Sequence, residues 1–302
     1  MRLLFSYQET PANFYYETKL EIDHSIWAEG TLFVNELNWE YAKAHYKGPI
    51  KPIKEFRDFI RGQEVEVPFE DINARTFAFL KKYAAQVKDN TEEYLLRRMK
   101  KTVQECRYIE RAHRESVELL SELEGKTELE LYFHLKQRAL ARQRELAFDP
   151  MVASLENARF PHYRPQKVRL KGYLVDFGLE YKRYKADITE TTPITPSQKA
   201  TYAKLQKAYD KIIDRLYPGM LGKEVDALYK KIFKELGLPE MPHLIGHGIG
   251  LELHEYPRLD KESEHELKRV AIAIEPGYYG KKWGMRYERN VLISSRTVKD
   301  LR

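Results

Sequence analysis

Four carboxylates sit inside stretches that otherwise read as buried strands, and they limit what this chain can fold around. Asp176 closes the run Tyr173-Leu174-Val175. Asp187 follows Tyr184 and precedes Ile188-Thr189. Glu275 follows Val270-Ala271-Ile272-Ala273-Ile274, and Glu288 stands in Arg286-Tyr287-Glu288-Arg289-Asn290-Val291-Leu292. Strands favour β-branched and aromatic residues, and a buried carboxylate is costly unless it is paired or bound to metal. One such residue reads as a salt bridge, whereas four in the last half of the chain require a common cause. Gly178 lets the chain reverse between Asp176 and Asp187. The expectation is that Val168 to Asp176 pairs with Glu180 to Ile188 and brings both carboxylates to one site.

Histidine supplies the second constraint. His243, His247 and His254 fall in one segment, with glycines at 246, 248 and 250. Those glycines permit close backbone approach and leave His247 room to face a site. Four carboxylates and one imidazole form a hard, oxygen-rich donor set. It suits two divalent ions of the Mn, Co, Fe or Zn type, which can share a hydroxide that is nucleophilic at neutral pH.

Rival motifs fail on context. His254-Glu255 begins like a zincin helix, but Arg258 stands where the second His belongs and Pro257 disfavours a helix. Asp176-Phe177-Gly178 matches the kinase metal motif without a glycine-rich phosphate loop or a His-Arg-Asp loop. Gly246-His247-Gly248-Ile249-Gly250 lacks the spacing and following helix of a dinucleotide site.

Length and texture divide the chain. With 302 residues it exceeds one small domain. Residues 1 to about 90 mix short strands, such as those around Trp27 to Val34 and Ile60 to Pro68, with helices such as Ala74 to Val87. At Asp89-Asn90-Thr91 a helical region begins, with one or two helices to Leu123 and another from Thr127 to about Glu145. Beyond Pro150 come strands, a periodic helix capped by Ser197, and a helix over Lys223 to Leu236 stopped by Gly237. The reading is α+β: a small α/β unit over 1–90 and a catalytic unit over 91–302.

Composition narrows the class of partner. The net charge is +6, but 52 Lys and Arg are interleaved with 46 Asp and Glu. That marks a solvated surface, so no nucleic-acid partner is expected. The first residues lack a long apolar run, and no stretch has the length of a membrane span. The single Cys106 suits a reducing cytosol, so a cytoplasmic location is expected.

From about residue 147 to the end the chain resembles the pita-bread metallopeptidases: methionine aminopeptidases, Xaa-Pro aminopeptidases and prolidases. The motifs that carry the resemblance are Val175-Asp176-Phe177-Gly178, Ala186-Asp187-Ile188-Thr189, Gly246 to Glu255, Ile274-Glu275-Pro276-Gly277 and Arg286-Tyr287-Glu288, in the family's order. The first 90 residues resemble the creatinase and prolidase N-terminal domain weakly, best at Asn13-Phe14-Tyr15-Tyr16-Glu17-Thr18. The resemblance implies a pita-bread (creatinase/aminopeptidase) fold and a ligand set. Asp176 would chelate one metal, Asp187 and Glu288 would bridge both, and His247 and Glu275 would bind the other. Glu275 would also move the proton, as base and then acid. His254 would hold the scissile carbonyl, and His162 and His243 would line the pocket, packing being the alternative for those two.

His254-Glu255-Tyr256-Pro257-Arg258 leans toward prolidase, with Arg258 placed to hold a dipeptide's free carboxylate; a surface salt bridge is the other reading. The implied activity is hydrolysis of Xaa-Pro dipeptides by two divalent ions (Mn, Co, Fe or Zn) in a homodimer. The alternatives are an Xaa-Pro aminopeptidase on longer peptides, a non-catalytic peptide-binding relative, and lysis of a small non-peptide substrate. Departures from the family pattern are Glu190 where Arg is usual, Leu155 where Gly is usual, Tyr278 after Glu-Pro-Gly, and a loop from Glu275 to Glu288 about one residue short.

Overall fold

A computed structural model describes residues 1–302, which form two compact units, Met1–Arg98 and Met99–Arg302. The change of texture at Asp89-Asn90-Thr91 marks the start of helix α5 (Thr91–Met99), and the units divide at the other end of that helix.

The first unit is a mixed four-stranded sheet with helices. Strand β1 (Leu3–Ser6) is followed by α1 (Ala12–Thr18), then β2 (Ser25–Ala28) and β3 (Thr31–Val34), and then α2 (Trp39–His45) and β4 (Ile50–Pro52). The sheet order is β1-β2-β3-β4. Glu29 and Gly30 both have positive φ, 43° and 90°, the conformation a tight two-residue hairpin needs between right-twisted strands. A short α3 (Phe56–Phe59) and β5 (Glu64–Val67) precede α4 (Ala74–Tyr83). That helix ends earlier than its apolar spacing suggests. Val87 belongs to β6 (Gln86–Asp89), parallel to β5, because Val65 and Val87 pair across the ladder.

In the second unit, α6 (Val103–Leu120) starts at Thr102, whose side chain and that of Glu105 form a reciprocal capping box. Helix α7 (Glu128–Ala141) is capped by Thr127. Then come β7 (Met151–Ser154), β8 (Tyr173–Phe177), a ribbon of β9 (Glu180–Tyr181) and β10 (Tyr184–Lys185), and β11 (Ile188–Thr192). The expected long pair, 168–176 with 180–188, is corrected here. Strand β8 pairs with β11, Asp176 opposite Thr189, and the ribbon is inserted between them. Helix α8 (Pro196–Ile213) is capped by Thr195 and not by Ser197: Pro196 takes the first helical position, and the Thr195 hydroxyl accepts from the Gln198 N–H. Helix α9 (Gly222–Leu236) ends at Gly237 in the left-handed conformation, φ 62°.

The remaining strands are β12 (Gly246–Gly248), β13 (Glu255–Arg258), β14 (Val270–Ile274), β15 (Gly277–Tyr279), β16 (Gly284–Arg286), β17 (Arg289–Ile293) and β18 (Val298–Asp300). A five-stranded sheet has the order β13-β12-β14-β17-β18, and a three-stranded sheet the order β11-β8-β7. Thr189 and Glu288 bridge the two.

Period-two alternation decides which side chains are free for chemistry. On the larger sheet Val270, Ile272, Ile274, Val291 and Ile293 pack with Leu205, Tyr209, Val225 and Phe233 of α8 and α9. On the smaller sheet Val152, Val175, Phe177 and Ile188 pack with Leu119, Leu131 and Leu135 of α6 and α7. Asp176 therefore lies on the face of β8 turned away from its helices. Glu275, following Ala271 and Ala273 in parity, is likewise turned away from its own.

Candidate metal centre

The chain reverses at Lys182-Arg183, both at positive φ, and not at Gly178 as expected; Gly178 instead lets the returning chain that carries Asp187 pass close by. A Cβ there would collide with the backbone carbonyl of Ala186, so the chain passes too closely for any side chain. Asp187 lies just ahead of β11 and is buried. Glu288, between β16 and β17, is 2% exposed, and its Oε2 accepts a hydrogen bond from the Thr189 hydroxyl at 2.6 Å. His247, in the middle of β12, donates from Nδ1 to the Gly248 carbonyl at 3.0 Å. Its Nε2 is then the bare nitrogen and lies 3.3 Å from Asp187 Oδ2 and 3.9 Å from Glu275 Oε1. One potential ligand atom each from Asp187, His247 and Glu288 lie within 4.8 Å of one another. Asp176 and Glu275 reach the same place through Arg286, which donates to Asp176 Oδ2 and sits 3.9 Å from Glu275 and 3.7 Å from Glu288.

These groups line one cavity of ≈ 340 Å³. It is lined by the charged groups Asp176, Asp187, Glu275, Glu288 and Arg286, by His162, His243, His247 and His254, and by the apolar Phe148, Pro161, Leu244 and Leu253. The electrostatics are those of crowded like charges out of water. Burial, then the neighbouring Asp176 and Glu275, push Asp187 well above the ordinary carboxylate range. Burial, then Asp187, do the same to Glu288. Burial raises Asp176 against the opposing pull of Arg286. Oδ1 of Asp176 and Oδ1 of Asp187 are buried with no hydrogen-bond partner. Unpartnered anionic oxygens beside a bare imidazole nitrogen are what a divalent cation would satisfy, so the donor set fits metal.

Burial lowers the pKa of His243 and of His254, so both prefer the neutral form. His243 Nδ1 is 2.7 Å from the Leu244 carbonyl, so it carries the proton. Nε2 then accepts from the Tyr279 hydroxyl at 2.8 Å, and that oxygen in turn accepts from Arg286 at 3.0 Å. The His254 and His247 rings lie 4.3 Å apart between centroids.

Arg258 is the residue the structure does not bring to the site. Its side chain is 62% exposed, its Nε donates to Asp260 at 2.7 Å, and it does not line the cavity. Alternation along β13 explains this correction: Glu255 points inward and Arg258 outward. Glu190 is also resolved. Its carboxylate accepts from Arg289 and from the Tyr202 hydroxyl, on the side of β11 away from Thr189. Leu155 is fully buried in the apolar core, and Tyr278 packs on Trp283 with ring centroids 4.6 Å apart. None of the three lines the cavity.

Arg286, Thr189, Tyr279 and Asn290 also meet at this site and are not among the residues the sequence singles out. Two of them carried a signal: Arg286 stands two before Glu288 and Thr189 two after Asp187, the spacing that shares a strand face.

The comparisons with known proteins agree with this geometry. The chain is 32% identical over 296 residues to an Xaa-Pro dipeptidase of Pyrococcus furiosus, covering 90% of this chain and 84% of that protein. It is 31% identical over 293 residues to the Xaa-Pro dipeptidase of Pyrococcus horikoshii, covering 90% and 83%. The solved prolidase from Pyrococcus furiosus superposes with a TM-score of 0.89 at 28% identity, covering 99% of this chain and 95% of that one. The X-Pro aminopeptidase from Thermotoga maritima shares the fold, with a TM-score of 0.89 at 24% identity over 99% and 94% of the two chains. Helix-backed sheets with a carboxylate and histidine centre between them define a pita-bread metallopeptidase. The model of metallopeptidase family M24 matches residues 99–295, and the chain belongs to that family. Divalent metal is therefore part of its chemistry. No helix is long and apolar enough to cross a membrane.

Proposed function

We propose that the chain hydrolyses Xaa-Pro dipeptides with two divalent ions held by Asp176, Asp187, His247, Glu275 and Glu288. The observation that carries the reading is the juxtaposition of Asp187, Glu288 and the bare Nε2 of His247 within 4.8 Å, in the lining of a cavity of ≈ 340 Å³. The likeness to two Xaa-Pro dipeptidases supports the substrate class. Asp187 and Glu288, both buried, would hold the ions together with Asp176, His247 and Glu275.

When bound, the ions supply a water made nucleophilic at neutral pH. Glu275 would accept a proton from the attacking water at a carboxylate oxygen and pass it to the proline nitrogen as the C–N bond opens. His254, neutral, donates an N–H to the scissile carbonyl oxygen as charge develops there. His243 is fixed in one tautomer by Leu244 and Tyr279, and together with His162 it orients the dipeptide. Phe148, Pro161, Leu244 and Leu253 offer the apolar wall that a proline ring needs and keep bulk water from the bond.

A second reading, an Xaa-Pro aminopeptidase on longer peptides, has one observation in its favour: Arg258 lies outside the cavity, so it sets no carboxylate stop there. Rates on a Met-Pro dipeptide and on a pentapeptide beginning Met-Pro separate the two. Faster turnover of the dipeptide supports the proposal, and faster turnover of the pentapeptide sinks it. Running the dipeptide with Mn, Co, Fe and Zn identifies the ion. The working unit is proposed to be a homodimer, as in the family, and a monomer mass by light scattering would remove that part.

A further inference from the structure

Asp187 is proposed as a metal ligand, yet it lies outside the β8–β11 ladder, so the sheet itself does not hold its backbone. Its backbone N–H donates instead to Asn290 Oδ1 at 3.0 Å. Asn290 is fully buried on β17. The register places His247 opposite Ala273 and Ala273 opposite Asn290, so the three lie in one row across the sheet, turned away from α8 and α9. The methyl group of Ala273 leaves the row open between the other two.

A second side chain fixes the asparagine. His113 of α6 is 1% exposed, and its Nδ1 lies 3.1 Å from the same Asn290 Oδ1. A backbone N–H can only donate, so the Asn290 atom facing Asp187 is the oxygen. That oxygen also faces His113, so Nδ1 of His113 carries the proton and donates. His113 Nε2 and Asn290 Nδ2 are buried without hydrogen-bond partners. Burial holds His113 down at about 4, so it stays neutral and the donor pattern persists across the working pH range.

We infer that Asn290, its amide oriented by His113, is the positioning residue that holds Asp187 in its ligand pose. Partners of metal ligands typically change affinity 10- to 100-fold when removed. The inference rests on the assignment of Asp187 as a ligand, and Asp187→Ala is therefore measured in parallel. The variants are Asn290→Ala, His113→Leu and His113→Gln, with Val291→Ala as the control. Val291 is the next residue of the same strand, buried on the opposite, helix-facing side. Co2+ and Mn2+ dissociation constants are read by calorimetry, the bound Co2+ by its visible spectrum, and the metal-free fold by thermal unfolding.

Asn290→Ala should weaken one of the two ions at least tenfold and alter the Co2+ spectrum. His113→Leu should do so to a lesser degree, and His113→Gln, which keeps an N–H donor, should recover most of the loss. Val291→Ala should lower the melting temperature while leaving the dissociation constants within twofold. If Asp187→Ala binds both ions like the wild type, the ligand assignment fails and takes this inference with it. If Asp187→Ala loses metal while Asn290→Ala stays within twofold of the wild type or matches Val291→Ala, the positioning role alone is overturned.

Discussion

Replacing Glu190 with arginine, the residue usual at that place in the family, should damage the fold and spare the site. In this chain the Glu190 carboxylate accepts from Arg289 and from the Tyr202 hydroxyl, and the Arg289 side chain is 9% exposed. Hydrogen bonds to a charged group are worth roughly 1.5–3 kcal/mol each. Glu190 is 31% exposed, so water replaces part of that, and about 2 kcal/mol is lost with the two bonds. Two guanidinium groups then face each other, and at an effective dielectric of about 20 a pair 6 Å apart repels by about 3 kcal/mol. The new side chain can swing toward solvent, which leaves roughly 1 kcal/mol of that. The sum is about 3 kcal/mol, or a fall of roughly 6–12 °C in melting temperature. The swap Glu190→Arg with Arg289→Glu restores an ion pair of opposite polarity. Recovery should stop near 2 kcal/mol, because Arg289 also donates to the Thr189 and Glu288 carbonyls and glutamate cannot. Urea and thermal unfolding of the four proteins give the coupling energy, and kcat on an Xaa-Pro dipeptide should stay within about twofold throughout. A single variant that loses less than about 0.5 kcal/mol, or a swap that recovers nothing, would refute the pairing argument.

Other perturbations test separate parts of the structure. Gly178→Ala places a Cβ against the Ala186 carbonyl, and backbone cannot yield cheaply. It should cost more than about 3 kcal/mol and displace Asp187; a soluble variant melting within a few degrees of the wild type contradicts this. His113 titrates at about 4 when folded against 6.5 when unfolded. Between those values the unfolded chain binds more protons, so stability falls as pH drops, by about 2 kcal/mol from pH 7 to 5. Urea unfolding should show that loss in the metal-free wild type and a smaller one in His113→Gln; equal losses in the two exclude His113 as the source. Arg258→Ala should leave KM for dipeptides within twofold, since its guanidinium is with Asp260 outside the cavity, and a tenfold rise in KM would return it to substrate binding.

What the sequence disclosed and what it withheld follow from the range of the forces involved. Asp176 and Glu275 are legible because each ends an apolar run, and Asp187 and Glu288 because they stand in strand-like stretches, local conflicts visible without tertiary knowledge. Gly178 and the glycines flanking His247 were legible because close approach demands them. Arg258 was misjudged because a one-residue change of strand parity turns a side chain to the other face. The pairing of β12 with β13 shifts register between His247 and Gly248, which a linear reading does not show. Val87 reads as helical in the linear sequence because its strand partner, Val65, lies 22 residues earlier in a parallel ladder. The cap lies two residues before Ser197, since Pro196 suits the first helical turn and leaves Thr195 as the cap. Asn290 and His113 are 177 residues apart, and neither breaks a local pattern; only the folded sheet shows that they meet.

The most direct test of the central claim is release of free proline from a Met-Pro dipeptide by the Mn- or Co-loaded protein. The account predicts release that stops on chelation, resumes when the ion is restored, and is absent from His247→Ala at every metal concentration. Proline release that persists in the chelator, or in His247→Ala, would contradict it.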